Sequence, residues 1–152
     1  MSSRGKNAHR PLRQRETLAP HDYEVLAEFR YVLMRFLAFS EQAAAAAGLA
    51  PRQHQALLAI KGYPGGRGVS VGDLAERLGI RHHSAVGLVD RLVSHGYLVR
   101  REDPRDRRRM HLSLTSAGEQ ALGELSAAHR QELRRVAPLL NSLLTQLGPP
   151  PS

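Results

Sequence analysis

Residues 70–96 read SVGDLAERLGIRHHSAVGLVDRLVSHG, and the reading of this stretch decides the fold. Ser70 followed three residues on by Asp73 has the spacing of a capping box. The hydroxyl can accept from a free N–H of the first turn while the carboxylate reaches back. The helix so opened carries Val71, Leu74, Ala75 and Leu78 at i, i+3, i+4 and i+7, one apolar face. Gly79 breaks it, and Ile80 follows as an apolar plug. A second helix starts within a few residues, buries Ala85, Leu88, Val89 and Leu92, and ends at Gly96. Two short helices with a tight glycine turn and apolar inner faces read as a helix-turn-helix, although an ordinary helical hairpin carries the same pattern.

The next residues separate the two. Tyr97 to Arg101 reads as a short strand, and Met110 to Leu114 as another, with Met110, Leu112 and Leu114 alternating against His111 and Ser113. Between them lies Glu102-Asp103-Pro104-Arg105-Asp106-Arg107-Arg108-Arg109, a polar turn. A hairpin directly after the second helix is a wing, so the fold class is mainly α, an α/β winged helix-turn-helix.

Long helices flank this unit. From about Asp22 to Ala47, Leu26, Phe29, Leu33, Phe36 and Leu37 recur at spacings of three and four. Gly48 is placed to end that helix, and Pro51 to open the next, which presents Ala56, Leu57 and Ile60 and stops near Gly62. The loop from Tyr63 to Gly68 is glycine-rich but fits neither the dinucleotide fingerprint nor the P-loop pattern. Thr115 or Ser116 caps the last helix, Ser116 and Glu119 having capping-box spacing. Ala121, Leu122, Leu125, Ala128, Leu133, Val136, Leu140, Leu143, Leu144 and Leu147 form its apolar side, and Pro138 should break or kink it. The expected organisation is a disordered basic arm over 1–20, a dimerisation helix over 21–48, the winged helix-turn-helix over 49–115, dimerisation helices over 116–147 and a disordered tail over 148–152.

The chain of 152 residues has a formal net charge of +8, so a polyanion, nucleic acid first, is the expected partner. The excess is clustered. Arg4, Lys6, Arg10, Arg13 and Arg15 stand against Glu16 in the first twenty residues, and six arginines stand against three acids over residues 100–109. Cysteine is absent, which removes disulfides, thiolate metal sites and cysteine redox switches. No apolar run approaches the roughly 20 residues of a membrane span, and the amino terminus lacks the apolar core of a secretory signal, so no membrane partner and a cytoplasmic location are expected. Neither a nucleophile–base constellation nor paired catalytic carboxylates can be argued, and an enzyme is not expected. The eight histidines raise a metal sensor, but His82 and His83 are adjacent and His54, His95, His111 and His129 are scattered, so neither a metal site nor another cofactor is expected.

The reading unit needs only residues from about 51 to 115, which leaves the stripes of the first and last helices over. They pair most simply with each other and with a second copy, since exposed apolar surface costs about 25 cal/mol per Å². A two-fold homodimer would set two reading heads on a near-palindromic duplex, with half-sites roughly 34 Å apart. The competing arrangement is a monomer whose terminal helices wrap back on its own core.

Leu74-Ala75-Glu76-Arg77-Leu78-Gly79-Ile80, then Val89-Asp90-Arg91-Leu92 with Gly96, then Asp103-Pro104-Arg105-Asp106-Arg107-Arg108 and Leu114-Thr115 with Gly118, resemble the MarR family of bacterial regulators. The resemblance runs over about residues 22–147 in order. It implies a winged-helix dimer that represses nearby genes and is often released from DNA by a small anionic aromatic effector. It also implies an effector cleft where the dimer helices meet the reading domain, lined by helices near residues 30–60. The run Ala43 to Ala47 could leave space there, or serve close helix packing.

The face of the second helix opposite its core stripe carries His83, Ser84, Gly87 and Arg91, with His82 and Val86 at its shoulders. That face should enter the major groove, amino-terminal end first. His83 and Ser84 can bond base edges or phosphate, Arg91 guanine or phosphate, and Gly87 would allow close approach. In the wing, Asp106 and Arg108 match the paired acid and base of the family. Arg108 is expected in the minor groove with Asp106 holding its guanidinium, and Arg105, Arg107 and Arg109 at phosphates. Asp90 would brace the reading helix against the wing. A regulator without an effector, an architectural DNA binder and a winged-helix RNA or protein adaptor are the alternatives.

Overall fold

The computed structural model describes residues 17–66 and 68–149. Five helices and one hairpin follow in the order α1 (Pro20–Ala46), α2 (Pro51–Lys61), α3 (Val71–Leu78), α4 (His82–Ser94), β1 (Leu98–Glu102), β2 (Met110–Leu114) and α5 (Ser116–Gln146). The amino-terminal arm, Lys6 included, falls mostly outside the described residues.

α3 begins as its sequence dictates. The Ser70 hydroxyl accepts from the Asp73 N–H at 3.0 Å, and the Asp73 carboxylate accepts from the Ser70 N–H at 3.0 Å. Gly79 closes α3 in the left-handed region at φ 62°, where a side chain would meet its own backbone, and the Ile80 N–H then reaches the Ala75 carbonyl at 3.0 Å. All four apolar residues expected on the inner side of α4, Ala85, Leu88, Val89 and Leu92, are buried. β1 and β2 pair antiparallel with Leu98 opposite Leu114 and Arg100 opposite Leu112. A third segment joins them: Val69 bridges to Leu112, whose N–H donates to the Val69 carbonyl at 2.8 Å. The period-two alternation of β2 holds for Leu112, which is buried, while Met110 lies out at the rim, 45 % exposed.

One apolar core joins Leu57, Val69, Leu74, Leu88, Leu92, Leu98 and Leu112 to Ala44 and Leu49 from the α1 end and to Leu122 and Leu125 of α5. Burying each of its leucines contributes about 2 kcal/mol. Ala44 is fully buried in it, so that part of the alanine run serves close packing. A second, smaller cluster of Val25, Val32, Val136 and Leu143 holds α1 to α5.

Four expectations need correction. α5 runs unbroken through Pro138. Proline leaves only the carbonyl one turn back without a donor, and Arg134 and Pro138 are both exposed, so water can satisfy it. Of the two caps expected for α5, Thr115 is the one used, its Oγ1 accepting from the Gly118 N–H at 3.1 Å; the Ser116–Glu119 box does not form, and Glu119 pairs instead with Lys61 at 2.7 Å. On α1 the residues buried against α5 are Val25 and Val32, with Phe29 and Phe36 half-buried. Leu26, Leu33 and Leu37 face outward at 43, 40 and 58 % exposure, because α1 carries two apolar faces and its own chain covers one. Finally, His54 and His129 are not scattered: their rings stack with centroids 4.8 Å apart.

Candidate nucleic-acid interface

α4 offers its outer face to solvent as its periodicity requires. His82, His83, Ser84 and Arg91 are exposed, while Val86 and Gly87 are half-buried. Gly87 is helical without needing positive φ. A Cβ placed there would lie 3.8 Å from Nη1 of Arg91, so that guanidinium folds back along the helix beside the bare Cα. The space above Gly87 is thus shared with Arg91, which qualifies its role in close approach.

The wing loop is organised by two carboxylates. Asp103 Oδ1 accepts from the Arg105 N–H at 2.7 Å, and its other oxygen lies 3.2 Å from His111 Nε2 on β2. The Arg105 N–H, above all, holds the Asp103 carboxyl below its ordinary range, with His111 adding to the effect. Asp106 Oδ1 accepts from the Arg108 N–H at 3.1 Å and from Arg108 Nε at 3.4 Å, while Oδ2 faces Arg109 Nε at 3.9 Å. The expected pairing of Asp106 with Arg108 is therefore present in the free chain, and the Arg108 side chain is 93 % exposed at the tip. Arg101 and Arg107 have no carboxylate partner among the described residues, whereas the charge of Arg105 acts on the Asp103 carboxylate. A cation whose charge is not met within the chain retains its full attraction for an outside phosphate.

Helix and hairpin are tied together. Asp90, on the outer side of α4, accepts from Nη2 of Arg100 on β1, the bracing expected of Asp90. Sequence reasoning did not supply the partner, because a cation on a strand ten residues away is placed only by the turn at Gly96. The pair is partly exposed, so Arg100→Ala should cost about 1 kcal/mol in a urea melt. The same variant should lower affinity for duplex DNA several-fold by letting the wing swing against α4. Equal DNA affinity with and without Arg100 would remove the brace from the interface.

A family model described as MarR family matches residues 47–109, from the end of α1 to the wing. YcgE of Bacillus subtilis (strain 168), named an uncharacterized HTH-type transcriptional regulator, is 33 % identical over 98 residues; the match spans 64 % of this chain and 61 % of that relative. The multiple antibiotic-resistance repressor MarR of Listeria monocytogenes superposes with a TM-score of 0.60 at 27 % identity, over 82 % of this chain and 96 % of its own. AbsC of Streptomyces coelicolor, a MarR family transcriptional regulator, gives a TM-score of 0.66 at 19 % identity, over 87 and 90 % of the two chains. The helix-turn-helix, the wing and the family model fall on the same residues, and over residues 47–109 the chain is similar to the MarR family.

Proposed function

We propose that this chain is a sequence-specific, DNA-binding transcription regulator that works as a homodimer, a repressor released from its operator by a small anionic aromatic effector. The observation that carries the reading is the braced unit of α4 and the hairpin. It exposes His82, His83, Ser84 and Arg91 on the helix, and on the wing it leaves Arg101 and Arg107 without a carboxylate partner among the described residues. Polar side chains on a major-groove helix read bases, and arginines on the wing neutralise phosphate or enter the minor groove. A MepR variant of S. aureus with the same fold was solved bound to an oligodeoxyribonucleotide.

The dimer is supported by apolar surface that the chain does not cover. Leu26, Leu33, Met34 and Leu37 of α1, and Leu133, Leu139 and Leu144 of α5, are each at least 40 % exposed. A second copy would remove that surface from water at about 25 cal/mol per Å². For the effector, a cleft of about 480 Å³ between α1 and α5 sets Tyr31, Phe36 and Phe39 beside Arg35, with Glu28, Glu132 and Arg135 also in its lining and Arg135 paired with Glu132 at 2.6 Å. Only α1 of the helices near residues 30–60 lines it. CouR of Rhodococcus jostii RHA1, a protein of this fold, was solved with p-coumaroyl-CoA.

The test is a mobility shift on duplexes selected by the protein from a random pool, repeated with phenolic acids. Selection of an inverted repeat, released by an acid, is the expected outcome. A shift that no acid alters points to a regulator without effector, and failure to select any duplex overturns the reading. In the same preparation Leu37→Glu should sediment as single subunits and lose the shift. A variant that stays dimeric would move the interface off this face of α1.

A further inference from the structure

His54 is 4 % exposed in α2, inside the reading head, and His129 lies in α5. Their imidazoles stack at 4.8 Å with 24° between the planes. The ring of His129 is also met edge-on by Phe36 and Phe39 of α1, at 6.0 and 5.7 Å. Three helices thus converge on two titratable rings, at the joint between the head and the α1–α5 pair.

The hydrogen bonds fix the tautomer. His129 Nδ1 lies 2.5 Å from the Leu125 carbonyl, which can only accept, so Nδ1 carries a proton. Nε2 lies 2.6 Å from Ser40 Oγ on α1. In the neutral ring Nε2 accepts from the serine hydroxyl. A second proton on the ring reverses that bond, and the hydroxyl hydrogen must swing away. The His54 ring makes no hydrogen bond with any described residue. A charge on either ring is therefore set against the other with little to compensate it.

His129 is the one charged or titratable group among the described residues that acts on His54. From the α4 side, His95 stops at Gln53, its Nδ1 3.4 Å from Nε2 of the amide. From β2, His111 is engaged by Asp103, and the Lys61–Glu119 pair bridges α2 and α5 elsewhere, in the open. No ion pair from α1 or α3 includes either ring among the described residues.

We propose that the stacked pair of His54 and His129 is a proton-operated joint, closed at neutral pH, which mild acid opens so that the reading head loosens from the α1–α5 pair. Burial, with His129 adding to it, holds the His54 pKa below its ordinary 6.5. An opened or unfolded chain therefore binds a proton that the closed chain refuses. The closed state keeps its full advantage above the ordinary histidine range and loses it as pH falls through that range, by up to about tenfold in the opening constant per pH unit for one proton.

The joint does not rest on DNA binding, and its test need not. Urea unfolding of the full chain is followed from pH 7.5 to 5.5 for the wild type and for His54→Phe, which keeps an aromatic ring in the stack and cannot take the proton. The wild-type unfolding constant should rise by up to about fivefold more than the variant's over the unit below pH 6.5. Parallel curves overturn the proposal. If His54→Phe does not fold, the ring protons of the wild-type histidines decide by NMR titration. A His54 resonance titrating below that of a free histidine, and moving with the His129 resonance, supports the joint, whereas one titrating at or above the free value overturns it. On a duplex selected at pH 7.5, wild-type affinity should fall relative to His54→Phe on acidification. If neither protein selects a duplex, the regulatory reading fails while the unfolding curves still decide the joint.

Discussion

Gly118→Ala should destabilise the protein by about 3 kcal/mol, although alanine is the better helix former by about 1 kcal/mol. Gly118 sits in the first turn of α5, buried against the turn between α4 and β1. A Cβ there would lie 2.2 Å from the Tyr97 carbonyl oxygen and 3.1 Å from its carbon. The obstacle is backbone, so no side chain can rotate away. The backbone is also held: Tyr97 O accepts from the Thr115 N–H at 3.0 Å, and Thr115 Oγ1 donates to the Gly96 carbonyl at 2.5 Å while capping α5. Any shift that admits the methyl group breaks this junction, on which both the wing and α5 depend. Against a total stability of about 5 to 15 kcal/mol, the loss is large. Gly123 is the control. It lies in the same helix with nothing within 4 Å of an added Cβ, so Gly123→Ala should stabilise by about 1 kcal/mol. Urea melts of the two variants should move in opposite directions. A Gly118→Ala chain at least as stable as the wild type would mean that α5 does not approach Tyr97 this closely.

The contrast between these glycines shows what the sequence could and could not convey. Elements with local causes were legible: the Ser70–Asp73 box, the turn at Gly79 and the inner stripe of α4 all follow from residues within one or two turns of each other. The pairing of Asp106 with Arg108 was expected from the resemblance to the MarR family, and its two residues stand two positions apart on one loop. Contacts made by remote segments were not legible. Val69 is a single bridging residue and shows no period. His54 and His129 are 75 positions apart, and only the packing of α5 on α2 stacks them. The outward tilt of Leu26, Leu33 and Leu37 was hidden because periodicity identifies an apolar face without saying which neighbour covers it. Arg91 looked like a side chain free for DNA, yet its flexible stem lets it lie back beside Gly87. In the proposed site, the identities on the α4 face and the wing could be read directly, whereas the brace from Arg100 to Asp90 required the hairpin to be placed.

Arg108→Ala should weaken binding to a selected duplex by about 10- to 100-fold at fixed salt, the scale of one well-placed arginine contact. The argument rests on position and on pre-organisation. Arg108 stands at the wing tip, 93 % exposed, with its backbone N–H and its Nε both turned toward Asp106 Oδ1. An exposed ion pair of this kind contributes under about 1 kcal/mol to folding, so the variant should melt like the wild type. What the carboxylate provides is direction: the guanidinium is held on its loop before DNA arrives, and less side-chain freedom is lost on binding. We propose that the narrow, strongly negative minor groove of A·T steps receives it. Arg107→Ala should behave differently, weakening all duplexes alike and lowering the salt slope by about one, as a phosphate contact does. Lys6→Ala, in the amino-terminal arm, should change little. Asp106→Ala should cost less than Arg108→Ala, and adding it to Arg108→Ala should cost almost nothing more, because the clamp has no function once the guanidinium is gone. Titrations of the four variants and the double variant on one duplex, at two salt concentrations, check the whole set. Equal losses for Arg108→Ala and Lys6→Ala would show that the wing contributes only diffuse charge. Strict additivity of Asp106→Ala and Arg108→Ala would separate the carboxylate from the arginine it is proposed to aim.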